Sequence, residues 1–325
     1  MEEGLAREAF ELVKHSREAS TISGYKTGWN HWLAFCQEFK YSNVYMSYAA
    51  PNTRVFRLQS RRLSFFVTFL DRRKIQADTV SAHVNAVMKH HERRFFSDVL
   101  RHHKFHRLLI DGIKRRNAKE GKIVARKLPF TWDLVTKSRK FLNPHNFQDS
   151  RMFAALKTGV AFLLRASELL PGTRHSIRRN SVRFTWSKGE VTAVTIVIHS
   201  SKTSSTPVSK TLANDGPDSV CQVLYEFLSM TRGLPSDPLF AGLSYTKFNS
   251  DLKDLGVLLG IKDARTKLAS HSLRRGGATS LFNAGIDAMY IREWGRWSQD
   301  MWVTVYAQLS FDRQLELTKA FPSVM

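Results

Sequence analysis

One stretch of this chain changes the spacing of its apolar residues, and that change limits the possible folds more than any other feature. Over residues 182–198 the side chains alternate. Val182, Phe184 and Trp186 take every second position, Ser187-Lys188-Gly189-Glu190 turns the chain, and Val191–Ile198 reads as the returning strand. A period of two sets one side of a strand against a core, and a short Gly-containing turn joins antiparallel neighbours. Ser200–Thr206 forms a second turn, and Pro207-Val208 begins a short third strand. On either side the helical spacing of three and four prevails. The expected fold is mainly α with a small antiparallel β-sheet.

Residues 1–118 read as a small bundle of four or five short helices. The first carries Tyr25, Trp29, Trp32, Leu33, Cys36 and Phe39, with Ser20 or Thr21 as its cap. The second follows Val55–Ser60 and holds Leu63, Phe65, Phe66, Phe69 and Leu70. The third carries Val80, Val84, Val87 and Met88 behind a cap at Asp78 or Thr79. The fourth runs from about Phe95 to Arg116, with Val99, Leu100, Leu108, Leu109 and Ile113 inward. Residues 119–127 lack apolar periodicity and read as a basic linker. The rest, 128–325, begins helical, passes through the strands, and is helical again from Val220–Met230 onward. A chain of 325 residues has room for two such domains.

Charge narrows the partner. Lysine and arginine number 50 against 28 acids, a formal net charge of +22. Self-repulsion of that size is relieved by a polyanion. Nucleic acid is the leading choice; an acidic membrane surface is the alternative, but no long basic amphipathic helix stands apart. From Lys89 to Lys127 there are 13 lysines and arginines against four acids (Glu92, Asp98, Asp111, Glu120), and five histidines besides. Lys114, Arg115, Arg116, Arg126 and Lys127 are the candidates for contacts to a DNA backbone. A solvated helix face followed by a linker would look the same.

The two cysteines, Cys36 and Cys221, are too few for a disulfide framework and fit a reducing compartment. The N-terminus lacks a signal-peptide pattern, and no apolar run approaches the roughly 18–20 residues of a membrane span. The expected location is intracellular: the nucleus in a eukaryote, the cytoplasm or nucleoid in a prokaryote. His102 and His106 are four apart without a carboxylate or thiol beside them, so neither metal nor cofactor is expected.

Four places carry candidate chemistry. Arg165 sits inside Gly159–Leu170, which reads as one otherwise apolar helix, where a guanidinium needs an anion. Glu168, three residues on, is either its internal partner or the organiser of a neighbour while Arg165 meets a phosphate. Lys202 lies at the tip of the second turn, either merely solvated or functional, with Lys210 as its nearest rival. His271 and Arg274 share the first turn of a helix behind a cap at Ser270, where free N–H groups and positive potential favour an anion. They are either surface residues or a phosphate grip with a proton-exchanging imidazole. Gly295-Arg296-Trp297 precedes Ser298, the expected cap of a helix Gln299–Leu309 that places Trp302, Tyr306 and Leu309 on one stripe. Such a tyrosine is ordinarily core.

Taken in order, these residues resemble the catalytic pattern of the tyrosine recombinase (phage integrase) family. Arg165 with Glu168, Lys202 in a β-turn, His271-x-x-Arg274, then Trp297 and Tyr306 match its elements. The gaps of 23 residues from Arg274 to Trp297 and nine from Trp297 to Tyr306 also fit. Gly-Arg-Trp departs from the commoner Leu-Gly-His; it is similar to the Trp variant of Cre recombinase and to recombinases of Crypton- and DIRS-type mobile elements. The resemblance implies a two-domain clamp: a helical core-binding domain over 1–118 and a catalytic domain over 128–325.

It also implies a reaction. Tyr306 would attack a phosphodiester to give a 3′-phosphotyrosyl link and a free 5′-hydroxyl, with His271 as base, steadied by Glu168. Arg165 and Arg274 would neutralise the phosphoryl oxygens, Trp297 would donate its indole N–H, and Lys202 would protonate the leaving oxygen. This scheme needs no metal. The implied partners are double-stranded DNA and further copies of the chain, as a tetramer on paired sites, with the tail Phe311–Met325 passed to a neighbour or folded back. A type IB topoisomerase shares the chemistry, but its tyrosine typically lies in Ser-Lys-x-x-Tyr, whereas Val303-Thr-Val precedes Tyr306 here. A DNA-binding protein that kept the fold and lost cleavage is the other alternative; every catalytic position holds a competent residue, which speaks against it.

Overall fold

The computed structural model describes residues 19–95, 97–122, 127–200 and 206–297, together with Gly4 and Glu8. The chain folds as two compact units, residues 1–124 and 125–325.

The described part of the first unit contains α1 (Ala19–Glu38), α2 (Arg54–Arg72), α3 (Ala77–Phe95) and α4 (Phe105–Lys119). One stripe from each helix enters a single core: Trp32 and Phe35; Leu63, Phe66 and Leu70; Val80, Val84 and Val87; Ile110 and Ile113. Burying each such side chain fully contributes roughly 1.5–3 kcal/mol. Trp32 stands edge-on to Phe66 at 5.1 Å, and its indole N–H donates to the Val44 carbonyl at 2.9 Å.

Several expected boundaries shift. α1 has already begun at Ala19, so Ser20 and Thr21 lie inside the helix and do not cap it. Asp78 and Thr79 likewise fall within α3. α2 is capped by Thr53, whose hydroxyl accepts the Phe56 N–H at 3.1 Å. The expected fourth helix is two elements. α3 runs on to Phe95, a turn carries Val99 and Leu100 into the core, and α4 starts only at Phe105. Its inward stripe is then His106, Ile110 and Ile113, which leaves Leu108 on the opposite side, 66 % exposed.

Most histidines of the basic stretch belong to packing. His91 is buried, accepts the Met46 N–H at 2.9 Å on Nε2, and donates from Nδ1 to the Val87 carbonyl at 2.8 Å. Burial is the main effect that takes its pKa down to about 4. Burial also takes His103 to about 4 and lowers His90 and His106.

The second unit begins with α5 (Trp132–Ser138), α6 (Phe147–Ala161) and α7 (Ala166–Leu169). Strands β1 (Val182–Ser187), β2 (Glu190–Ile198) and β3 (Val208–Ala213) follow, forming one antiparallel sheet in that order. Then come α8 (Val220–Ser229), α9 (Tyr245–Leu258), α10 (Ala264–Lys267), α11 (His271–Asn283) and α12 (Ala288–Gly295). The expected mainly α architecture with a small antiparallel sheet is what forms. Val194, Ile196 and Ile198 of β2 join Leu156, Leu224, Phe227, Phe248 and Leu273 in the core.

Two glycines set how closely α11 approaches its neighbours. A side chain at Gly276 would overlap the Phe130 carbonyl, and one at Gly277 the Val160 carbonyl. Their absence lets the segment around Phe130 bond along α11, the Phe130 N–H donating to the Ser272 carbonyl at 2.9 Å. Among the described residues no helix is long and apolar enough to cross a membrane.

Candidate active site

Leu163 decides where Arg165 goes. α6 stops at Ala161, and Leu163 takes φ +50°, a left-handed conformation that costs a non-glycine residue roughly 1–2 kcal/mol. The chain leaves it extended, so Arg165 stands at the N-cap of α7 with φ −74° and ψ 154°. The expectation of an arginine within one continuous helix is therefore corrected. The bend is held from Glu168, whose carboxylate accepts the Arg165 backbone N–H at 2.8 Å and its guanidinium at 3.0 Å.

Glu168 is completely buried and is shared. Arg296 donates to both of its oxygens, at 3.1 and 2.8 Å, the fork geometry that suits a carboxylate. Burial pushes the Glu168 carboxyl pKa up. The charge and hydrogen bonds of Arg296, with those of Arg165, outweigh burial and hold it below the ordinary value.

Arg296 was not among the sequence candidates. It closes α12 in the left-handed conformation, φ 57° and ψ 46°, and this turn aims its side chain back at Glu168. The only sequence signal was its place between Gly295 and Trp297. Gly295 is required there, because a side chain would overlap the Trp297 ring.

Arg274 is 1 % exposed. Its guanidinium donates to the carbonyls of Leu163 and Gly295 and lies 4.2 Å from the centre of the Trp297 ring, within the range of a cation–π contact. The strained carbonyl of Leu163 also receives Arg296 at 3.4 Å. Four candidates from distant parts of the sequence thus meet: Arg165 and Glu168, Arg274, and Trp297.

His271 opens α11 on the exposed side. Crowding by the surrounding protein, then the charges of Arg274, Arg275 and Arg165, lower its pKa, which favours the neutral imidazole that can accept a proton. The expected cap differs. Ser270 is itself helical, with φ −48° and ψ −32°, and its side chain makes no cap bond. Its backbone N–H donates instead to Asn249 Oδ1 at 2.7 Å. Arg275 turns away from the cluster and donates to the Lys127 carbonyl at 2.8 Å.

Lys202, Tyr306 and Arg126 lie outside the described residues, as do the expected helix Gln299–Leu309 and the tail Phe311–Met325. What flanks Lys202 is described: Ile198 pairs with Val208 across β2 and β3, and Ser200 Oγ is 2.7 Å from His175 Nδ1. Of the remaining basic candidates, Lys114 pairs with Asp78 at 2.8 Å, Arg116 with Asp71 at 2.6 Å, and Arg115 is exposed. Lys127 donates to the Thr266 carbonyl at 2.8 Å. Among the described residues no group of three or more His, Cys, Asp or Glu side chains is placed to hold a metal ion.

Comparison with known proteins identifies the family and the fold. Residues 145–313 match the profile of the phage integrase family, a span from before Arg165 to beyond Tyr306. Solved structures share the fold at low identity. XerH site-specific recombinase bound to palindromic difH substrate, a post-cleavage complex, superposes with a TM-score of 0.55 at 15% identity, over 80% of this chain and 69% of that one. The pre-cleavage XerH complex gives 0.52 at 15% identity, over 80% and 70% of the two chains. The Tn1549 transposon integrase in complex with circular intermediate DNA gives 0.50 at 12% identity, over 89% and 98%. No curated protein sequence matches the chain. The family profile covers more than half of the chain, and on that ground the protein belongs to the phage integrase family, the tyrosine recombinases that carry out site-specific DNA recombination.

Proposed function

We propose that this chain cuts and rejoins duplex DNA at specific sites through a 3′-phosphotyrosyl intermediate formed on Tyr306. The observation that carries this reading is the meeting of Arg165, Glu168, Arg274 and Trp297, from three separate stretches of sequence, around the Leu163 carbonyl and the Glu168 carboxylate. Arg165 keeps part of its surface accessible, its side chain 22% exposed, which suits a group that receives an incoming phosphate.

In this scheme the Tyr306 phenol, with an ordinary pKa near 10, gives its proton to His271 as its oxygen attacks phosphorus. Arg165 and Arg274 offset the charge that develops on the non-bridging oxygens, an effect worth about 10²–10³ in rate for a single donor in other enzymes. Trp297 adds its indole N–H. A lysine ammonium, with Lys202 and Lys210 as the candidates, protonates the departing 5′-oxygen. The phosphotyrosyl ester keeps the energy of the broken bond, so rejoining needs no ATP. Glu168 acts on the two arginines that it binds.

The XerH and Tn1549 relatives were solved with DNA, and the net charge of +22 supports the same partner here. We assign the core-binding role to residues 1–118, the basic linker to 119–127 and the catalytic domain to 128–325. Lys114, Arg115, Arg116, Arg126 and Lys127 are assigned to backbone phosphates, working assembly is a tetramer on paired sites, and the protein acts inside the cell.

The test is a pool of duplexes with a random-sequence core, nicked so that cleavage releases a short fragment and traps the enzyme. Wild type should accumulate a covalent adduct. Tyr306→Phe should bind the pool with similar affinity and form none. An adduct that survives the substitution overturns the assignment.

A further inference from the structure

Arg296 occupies a position whose backbone suits a different residue. It follows the last turn of α12 with φ 57° and ψ 46°, the left-handed conformation in which helices commonly end on glycine because a β-carbon is disfavoured there. Glycine would satisfy the backbone, so what arginine adds lies in its side chain. That side chain is turned inward, only 12% exposed, and it reaches Glu168, 128 residues earlier in the chain.

Each oxygen of the Glu168 carboxylate is held from two directions. Oε1 accepts from Arg296 at 3.1 Å and from the Arg165 guanidinium at 3.0 Å. Oε2 accepts from Arg296 at 2.8 Å and from the Arg165 backbone N–H at 2.8 Å. Without Arg296, the bonds left on both oxygens come from Arg165 alone, and the carboxylate can follow that residue rather than fix it. Arg296 is the anchored side of the bridge, its own backbone N–H donating to the Glu293 carbonyl of α12 at 2.9 Å.

The same guanidinium donates to the Leu163 carbonyl at 3.4 Å, which also receives Arg274. The next residue is Trp297, whose N–H donates to the Arg292 carbonyl at 3.1 Å and whose ring lies 4.2 Å from the Arg274 guanidinium. One side chain thus braces the supports of Arg165, Arg274 and Trp297. It does not reach outward itself, since both terminal nitrogens are bonded inward and Nε is buried.

Resting on the reading that Tyr306 forms the phosphotyrosyl link, we infer that Arg296 is a positioning residue for cleavage. It locks Glu168 against the end of α12, and so fixes Arg165 and Trp297 where the scissile phosphate is to lie. Arg296 touches no substrate in this role.

The charges around Glu168 give the role a signature. They are Arg165 beside it, Arg296 after α12, Arg274 on α11 at the shared Leu163 carbonyl, and Lys210 on β3, whose proton affinity Glu168 raises. Burial pushes the Glu168 carboxyl pKa up, and Arg296 is the largest of the influences that bring it down. With Arg296 gone, the buried carboxyl takes up a proton more readily and then accepts from Arg165 less well. Raising the pH removes that proton, so the defect of an Arg296 variant should shrink as pH rises.

The experiment is single-turnover cleavage by the full chain of a nicked duplex recovered from the random pool, at saturating DNA and across pH. Arg296→Gly keeps the backbone turn and removes the fork. It should cleave roughly 10- to 100-fold more slowly than wild type, while the DNA concentration for half-saturation changes by less than about threefold. Arg296→Lys, which keeps the charge but cannot span both oxygens, should show the same signs and covers the case in which the glycine variant fails to fold. Glu168→Gln should also be slow, and adding Arg296→Gly to it should slow cleavage by less than about a further twofold, because both act through one carboxylate. Defects that multiply, a loss confined to DNA affinity, a ratio to wild type that ignores pH, or normal cleavage by a folded Arg296 variant overturns the inference. An adduct persisting in Tyr306→Phe would strike the phosphotyrosyl reading instead, which separates the two failures.

Discussion

Glu168 binds two arginines at once, and that sharing sets what each substitution in the cluster does. Arg296→Ala removes two hydrogen bonds to a buried carboxylate, and breaking a buried pair from one side costs about 3 kcal/mol or more. The midpoint of urea unfolding of the second unit should fall accordingly; an unchanged midpoint would show that water replaces the guanidinium at no cost. The same carboxylate gives a pH signature. Its folded pKa is depressed, so its contribution is complete above the unfolded value near 4.3 and is lost as pH falls through the lower folded value. Wild type should therefore lose more stability below about pH 4.3 than Glu168→Gln does, and parallel acid-unfolding curves would contradict the depressed pKa. Arg165, Glu168, Arg274 and Trp297 were legible because their residue types and intervals are themselves the signal. Arg296 was not. A cation just past a helix-ending glycine looks like an ordinary dipole partner, and its reach to Glu168 exists only once Leu163 and Arg296 both adopt left-handed turns.

At the level of elements, close approach decides the site's geometry. Gly276 leaves room for the Phe130 carbonyl against α11, the helix that presents His271 and Arg274. Gly276→Ala should destabilise the second unit by about 3 kcal/mol, at the upper end for overpacking, and a variant that unfolds at the wild-type denaturant concentration would mean that the backbone yields easily. In the first unit, His91 remains neutral in the fold down to about pH 4, while the unfolded chain takes up its proton near pH 6.5. That unit should lose stability as pH drops from about 6.5 to 4, on the order of 3 kcal/mol from His91 alone, seen in the fluorescence of Trp29 and Trp32. A flat response would place the imidazole in a wetter setting than its two backbone bonds imply. The three strands were readable from sequence because a period of two between two turns has one interpretation. The break at Leu163 was hidden, since Gly159–Leu170 contains neither proline nor an interior glycine to mark it. The division between α3 and α4 was hidden for a similar reason: Val99 and Leu100 continue the apolar series through a turn.

For the whole molecule, charge and covalent chemistry lead to separate tests. A net charge of +22 on 325 residues implies many phosphate contacts. Affinity for duplex DNA should fall by roughly 10³-fold or more between about 50 and 200 mM salt if six or more phosphates are engaged; a shallow slope would confine the cations to solvent. The most direct measurement is the identity of the DNA-linked residue and the polarity of the link. Covalent complexes trapped on the nicked duplex pool would be digested with protease and nuclease, and the modified peptide sequenced by mass spectrometry. The expected result is a nucleotide joined through its 3′-phosphate to Tyr306, with a free 5′-hydroxyl on the released strand. A link to another residue, or one through a 5′-phosphate, would contradict it.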